Sequence, residues 1–205
     1  MKTNAMLTVR AVALATAAFF SAAEANAADA GPGQAVRDAT ERIQAAIKLH
    51  HADYVKDKTS FYATVDQLVT PVFDVPYVSQ ITLGRAWRTA TPDQRTRFQA
   101  AFKSTLIRAY SDTLLENADS SRVDWLRDAV NGETASLHAN VFRTSGPPVA
   151  FAFELHKTEA GDWRAYDIAV EGVSLITNFR SQFAAQIKRD GLDALIARLE
   201  KGESI

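Results

Sequence analysis

The chain has 205 residues, 47% of them hydrophobic, and a formal net charge of −1. This length suits one domain with a substantial core and is short for two. The absence of cysteine excludes a disulfide framework and a cysteine-ligated metal site. The near-neutral charge argues against nucleic acid or an anionic membrane surface as the main partner.

Residues 1–27 have the pattern of an export signal. Two basic side chains precede an uncharged, mostly apolar stretch at 11–23, and Ala25-Asn26-Ala27 fits a small-x-small cleavage site. The alternative is an uncleaved N-terminal anchor. We expect cleavage after residue 27, which leaves 28–205 as a single domain.

The first half of the chain has helical periodicity. Apolar positions at helical spacing predict an amphipathic helix over 33–51. The polar stretch 56–60 is predicted to link it to a second helix over 61–70, which a proline ends. Asp74 is a predicted N-cap for a third helix, which ends near Gly84.

The strongest helix start in the sequence is Thr91-Pro92-Asp93-Gln94. It combines a threonine N-cap, proline at the first helical position, an acidic first turn and the glutamine of a capping box. A wide apolar face follows and predicts a helix that ends near Asn117. Such a face must be buried.

After residue 121 the period changes from helical to two. Alternating apolar residues predict strands at 123–125, 137–141, 149–155 and 163–170, joined by short turn-rich segments. This spacing predicts a four-stranded antiparallel meander. Helices, then strands, then a last helix predict an α+β fold, with the N-terminal helices and the C-terminal helix packed on a curved sheet.

The C-terminal segment 161–200 contains a strand, a tight junction and an amphipathic helix. Tyr166, Ile168 and Val170 share one face of the strand by period two. The helix is predicted over 176–189, and its apolar side must close on the same volume as the strand.

Four small residues lie on the predicted strand face opposite the large residues. Two explanations remain open: the small side chains allow a helix to pack closely on the strands, or they leave space for a ligand. The four are Ala150, Ala152, Ala165 and Ala169.

The sequence has no pattern typical of a catalytic or metal site. It contains no HExxH motif, no phosphate-binding glycine loop and no GxSxG nucleophile elbow. The adjacent His50 and His51 point about 100° apart on a helix, which disfavours chelation by this pair. We therefore expect no metal and no cofactor.

Asp167 and Glu171 are the one pair of carboxylates that suggests acid–base chemistry. Such chemistry requires a shared cleft and shifted pKa values. A structural role is favoured, with a carboxylate held by Arg164, Arg180 or a helix N-terminus. Ser174 is similarly interpreted as a helix-start serine rather than a nucleophile.

Five sequence segments together resemble one protein family. The segments are 83–88, 91–95, 166–175, 178–183 and 189–195, and they cover most of the predicted mature chain. They are similar to the periplasmic MlaC family, also called toluene-tolerance auxiliary proteins.

The resemblance implies a periplasmic phospholipid carrier and no enzymatic activity. It implies a monomer that shuttles lipid between an outer-membrane lipoprotein complex and an inner-membrane ABC transporter with an MCE-domain ring, maintaining outer-membrane lipid asymmetry. Acyl chains in water cost about 0.8 kcal/mol per CH₂ group, so a carrier must cover them with an apolar wall.

We expect the inward faces of the sheet and helices to form this wall around an apolar cavity. Periodicity selects the expected lipid-binding residues, which are Val72, Phe73, Tyr77, Ile81, Phe98, Phe102, Leu106, Val141, Phe151, Phe153, Tyr166, Ile168, Val173, Ile176 and Phe179.

Two other hypotheses stay open. A family branch associated with hopanoid loci resembles this chain, so the first alternative is a carrier whose ligand is a polycyclic lipid. From a different class, the α+β fold suits a small-substrate enzyme that uses Asp167 or Glu171, or an interaction module without a cavity.

Overall fold

The computed structural model describes residues 31–117, 122–143 and 145–203. The expected export signal at 1–27 lies outside these described residues. Helices and strands follow the order expected for an α+β fold, and this fold class is confirmed. The elements are α1 (Gln34–Lys56), α2 (Lys58–Val69), α3 (Val75–Leu83), α4 (Arg85–Thr89), α5 (Pro92–Asn117), β1 (Arg122–Trp125), β2 (Ala129–Asn131), β3 (Thr134–Phe142), β4 (Val149–Lys157), β5 (Trp163–Val170), β6 (Val173–Ser174), α6 (Leu175–Asp190) and α7 (Leu192–Glu200).

Side-chain caps set the starts of α3 and α5. Asp74 accepts a hydrogen bond from the Tyr77 backbone amide at 2.9 Å. In the capping box, the Gln94 amide donates to Thr91 Oγ1 at 3.2 Å, and the Thr91 amide donates to the Gln94 side-chain oxygen at 3.0 Å. Both helix starts expected from the sequence are confirmed.

Three helical details differ from the prediction. Helix α1 continues to Lys56 instead of ending at residue 51, with a kink at His50 (φ −123°, ψ 19°). Asp57 accepts hydrogen bonds from two amides in the first turn of α2, so that helix begins within the expected linker. Helix α4 was not predicted because five residues are too few to display a helical period.

The sheet has six strands among the described residues, and the prediction of four is wrong. The hydrogen-bonded order is β1-β3-β4-β5-β6, and β2 also pairs with β3. All of these pairs are antiparallel, as predicted. Strands β2 and β6 have three and two residues, too few for alternation to be recognised in the sequence.

A β-bulge interrupts the pairing of β4 with β5. Glu154 pairs with Asp167, whereas the next residue, Leu155, pairs with Ala165. Tyr166 is therefore the extra residue on β5, and the alternation of faces breaks there.

The bulge overturns two face assignments made from period two. Tyr166 does not share a face with Ile168, because its ring packs 5.6 Å from the ring of His156 on the opposite side of the sheet. Ala165 does not belong to the small-residue face either. It lies beside Leu155 on the face that carries Ile168, and it is fully buried.

Three apolar clusters form the core. The helical cluster joins α3, α5, α6 and α7 and contains Val78, Leu83, Phe98, Ala101, Phe102, Ile176, Phe179, Phe183, Leu195, Ile196 and Leu199. The sheet cluster joins α1 to β3, β4 and β5 and contains Val36, Ala39, Val72, Ala135, Leu137, Leu155 and Ala165. The third cluster joins α1, α2 and α5 and contains Ile43, Ile47, Tyr54, Phe61, Val65 and Leu115.

Candidate lipid-binding site

Five of the fifteen expected lipid-binding residues are buried inside the core clusters. They are Val72, Phe98, Phe102, Ile176 and Phe179. The Phe102 side chain is 1% exposed, and its ring centroid lies 5.3 Å from those of Phe98 and Phe179. These rings contact one another rather than an open space, as in a close-packed protein interior.

Five more of these residues are half-buried and contact the edge of a cluster. Ile81, Leu106 and Tyr166 pack against the helical cluster. Phe73 and Phe153 pack against the sheet cluster. Each of them therefore contacts the core with part of its surface and remains partly exposed.

The three remaining half-buried residues of the expected set, together with two neighbours, form what we call the open sheet surface. It consists of Val141 on β3, Val149 and Phe151 on β4, and Ile168 and Val170 on β5. The pairs Val141 with Val149 and Phe151 with Val170 place them on one face. None of these five belongs to the three clusters described above or packs against them. Val149 and Val170 were not among the expected site residues, although they alternate in phase with those that were.

Two expected site residues are exposed to different extents. Val173, on the short edge strand β6, is 60% exposed, and Tyr77 on α3 is 37% exposed. An exposure of this size gives Val173 little apolar contact within the domain.

Helix α5 presents a further apolar edge near its end. Leu114 is 42% exposed and Tyr110 is 38% exposed. Partial burial raises the pKa of Tyr110 above its ordinary value. Both residues lie on the apolar face that predicted this helix, and neither is among the expected site residues.

A compact aromatic and polar group lies where α3 leaves the sheet. The rings of Tyr77 and His156 stack at 4.5 Å, and Tyr166 packs edge-on against both. Asp74 lies 3.0 Å from His156 Nε2 while also capping α3. Burial is the main cause that raises the pKa of Tyr166, so this tyrosine stays neutral well above physiological pH.

The carboxylates of Asp167 and Glu171 are both used in backbone hydrogen bonds. Asp167 Oδ1 accepts from the amides of Ile168 at 2.8 Å and Ile176 at 3.1 Å, and its Oδ2 accepts from the Ser174 hydroxyl. Glu171 Oε1 accepts from the Ala150 amide at 2.5 Å. Asp167 therefore fixes the β5–α6 junction, which is the helix-terminus role expected from the sequence.

Neither a metal cluster nor a membrane span occurs within the described ranges. No three His, Asp or Glu side chains there are close enough to hold a metal ion. No helix there is both long and apolar enough to cross a membrane.

Comparison with known sequences gives a consistent set of relatives. Residues 37–201 match the family model described as MlaC protein. The toluene tolerance protein ttg2D of Pseudomonas putida is 31% identical over 79% of this chain and 75% of its own length. The intermembrane phospholipid transport system binding protein MlaC of Haemophilus influenzae is 18% identical over 86% of this chain and 84% of its own.

Comparison with solved structures gives a relative that contains a ligand. The phospholipid-binding protein of Ralstonia solanacearum, solved in complex with a phospholipid, superposes with a TM-score of 0.76. It is 30% identical, and the match covers 84% of this chain and 97% of that protein.

Proposed function

Because the chain belongs to the MlaC family, we propose that it is a carrier that binds a phospholipid and moves it through the periplasm. The observation that carries the proposal is the likeness, over 84% of this chain, to a protein solved with a phospholipid bound. In this proposal residues 1–27 direct export and are removed. The mature monomer exchanges lipid with an outer-membrane lipoprotein complex and an inner-membrane MCE-domain ABC transporter.

The acyl chains are proposed to lie against the open sheet surface. Its five side chains are apolar and half-buried, and they are not packed against a core cluster. Covering each CH₂ group of a lipid tail gains about 0.8 kcal/mol, so even a few contacts of this kind hold a chain. The side chain of Phe153 extends the proposed wall, because Phe153 pairs with Ile168 on the same face and packs against the sheet cluster.

The fully buried phenylalanines of the helical cluster are assigned a supporting role. Phe98 and Phe102 are 0% and 1% exposed, so a lipid reaches them only if the cluster opens. They hold α3, α5 and α6 together.

Chemistry at Asp167 or Glu171 is disfavoured by their surroundings. Each carboxylate already accepts hydrogen bonds from the backbone, and the two have different partners instead of a common cleft. This arrangement supports binding and transport over the small-substrate enzyme.

The proposal is tested by native mass spectrometry of protein purified from a periplasmic extract without detergent, followed by solvent extraction of the ligand. We expect an added mass that matches a diacyl phospholipid; a polycyclic lipid mass would assign the hopanoid alternative instead. A bare polypeptide mass, with no lipid acquired from phospholipid vesicles either, would reject the carrier function.

Two matched variants locate the site. Ile168→Asp places a charge on the open sheet surface, and Val130→Asp places the same charge on an apolar residue that is 57% exposed on β2. We expect Ile168→Asp to lose the lipid while it retains its circular dichroism spectrum, and Val130→Asp to keep the lipid. Equal lipid content in both folded variants would reject the open sheet surface as the site.

A further inference from the structure

A groove of about 520 Å³ lies at the corner between α3 and α4, on the side facing α6. Ile81 and Gly84 come from the end of α3, Trp87 from α4, and Arg180 from α6. Arg85 and Arg88 of α4 also line it, as does Gln80 of α3. This volume falls within the range that small-molecule sites occupy, about 300–1,000 Å³.

The three arginines of this groove lack carboxylate partners among the described residues. Other arginines of the domain, such as Arg37 and Arg97, form ion pairs with nearby acids. No comparable pair forms at Arg85, Arg88 or Arg180 within the described part of the chain. Three exposed positive charges thus line one concavity in a protein whose net charge is −1.

The fold holds this arrangement in place. Gly84 has φ +53°, and a Cβ added there would lie 3.4 Å from Arg180 Nε and 3.6 Å from its Cζ, so the guanidinium packs directly on the glycine backbone. Trp87 is fixed by Arg95, whose Nε donates to the Trp87 carbonyl at 3.1 Å and whose guanidinium stacks 5.1 Å from the indole centre. Gly84 and Trp87 are therefore held in position by contacts within the protein.

The groove combines a cationic rim with an apolar floor. Ile81 and Trp87 line it and also pack against the helical cluster, so they present fixed apolar surface beneath the guanidinium groups. A single carboxylate is satisfied by one arginine fork, whereas a phosphate group offers enough oxygens for several forks at once. The carbon portion of a phosphate ester fits against the apolar floor.

We propose that this arginine groove is a binding site for the phosphate group of a phosphate ester. Arg85, Arg88 and Arg180 supply the charge-assisted hydrogen bonds, and Ile81 and Trp87 contact the esterified carbon group. The site is separate from the open sheet surface, and its occupation does not require that the protein carries a lipid. The phosphate group belongs either to a lipid headgroup or to a soluble ester, and the experiment below distinguishes these two sources.

The full mature protein is titrated at low ionic strength with sn-glycerol 3-phosphate, and separately with phosphatidylglycerol vesicles and phosphatidylcholine vesicles. Calorimetry measures binding of the soluble ester, and vesicle sedimentation measures binding to the lipids. NMR follows the chemical shifts of the Gly84 amide and the Trp87 indole during each titration. The variant is Arg85→Gln/Arg88→Gln/Arg180→Gln. Its control, Arg42→Gln/Arg127→Gln/Arg143→Gln, removes the same charge from exposed arginines outside the groove.

We expect saturable binding that falls at least about tenfold in the groove variant and changes less than about twofold in the control, because only the former removes the guanidinium forks. Binding of the glycerol phosphate assigns the site to soluble esters, whereas binding of vesicles alone assigns it to lipid headgroups. No saturable binding of any probe overturns the proposal. Equal weakening in both triple variants also overturns it, since the effect would then be one of net charge.

The same variants separate this site from the proposed carrier function. The groove variant should co-purify the same amount of lipid as the control and keep its melting temperature, because its changes lie outside the open sheet surface. A lipid-free wild type that still binds glycerol phosphate would reject the carrier function alone.

Discussion

The helical cluster and the open sheet surface are made of the same residue types, yet the fold treats them in opposite ways. Phe102 of the helical cluster is 1% exposed and has rings of three other phenylalanines within 6 Å. Phe151 of the open sheet surface is half-buried and belongs to none of the three clusters. Apolar residues on a periodic face must be shielded from water. Other side chains of the protein shield them in the helical cluster, and we propose that a ligand shields them at the open sheet surface.

This contrast implies a division of labour between stability and binding. Substitution in the helical cluster should change the free energy of unfolding strongly. Substitution in the open sheet surface should change lipid binding more than stability. The predictions below test this division, beginning with the largest expected effect.

Phe102→Ala should destabilise the domain by about 3–5 kcal/mol, because it leaves a cavity among stacked and edge-on aromatic rings. Urea unfolding followed by circular dichroism measures this loss. A charged residue at Phe102 or at Ile176 should prevent folding altogether, since an unpaired charge would be buried.

The control for this prediction is Val130→Ala, at a residue that is 57% exposed. Its effect should stay within about 0.5 kcal/mol. A loss below about 1 kcal/mol for Phe102→Ala would contradict the assignment to core, and would mean that the cluster contains space for a ligand.

Phe151→Ala should cost less stability, about 1–2 kcal/mol, because part of the side chain is already in contact with solvent. It should reduce the stabilisation that phospholipid vesicles give to the protein, since any ligand that binds the native state raises its melting temperature. Thermal unfolding with and without phosphatidylethanolamine vesicles measures both effects. If vesicles raise the melting temperatures of the variant and the wild type equally, Phe151 does not contact the lipid.

Local signals in the sequence were sufficient for much of the fold. The capping box at Thr91, the N-cap at Asp74 and the alternation along β3 and β4 each depend on neighbours within a few residues. The β-bulge before Leu155 was not predictable because it depends on how two strands pair. It moves Tyr166 to the opposite face, although its sequence spacing from Ile168 is unchanged.

The candidate site was less predictable because burial is a property of the whole fold. Phe102 and Phe151 both occupy apolar positions of regular periodic elements, and only the arrangement of the helices distinguishes them. The arginine groove was missed for a related reason. Arg85 and Arg88 lie in a helix too short to predict, and Arg180 reaches them from a distant segment by packing on Gly84.

Asp167→Ala should destabilise the domain by about 1–2 kcal/mol, because it leaves the Ile176 amide without its acceptor and removes one of the two acceptors of the Ser174 hydroxyl. Asp167→Asn keeps one acceptor oxygen and should cost less. Urea unfolding of both variants measures the difference, and lipid content should change in neither. An unchanged free energy of unfolding in Asp167→Ala would show that the β5–α6 junction does not depend on this carboxylate.

The smallest effect is expected for the ion pair between Asp66 on α2 and Lys103 on α5. Lys103 Nζ lies 2.7 Å and 2.8 Å from the two carboxylate oxygens, and the Thr70 hydroxyl also donates to Asp66. Both charged side chains are partly exposed, so Asp66→Asn should cost no more than about 1 kcal/mol at neutral pH. Urea unfolding at a series of pH values measures this cost.

The pH dependence of that cost identifies its origin. Burial alone would raise the pKa of Asp66, but the hydrogen bonds from Lys103 and Thr70 outweigh it and hold the pKa below its usual value of 3.8. A carboxylate with a lowered pKa stabilises the folded state above its unfolded pKa, and this stabilisation is lost as the pH falls through the folded pKa. The difference between wild type and Asp66→Asn should therefore be constant above about pH 5 and shrink at lower pH. If the difference in the free energy of unfolding persists unchanged below the folded pKa, its cause is packing between α2 and α5 rather than the charge of Asp66.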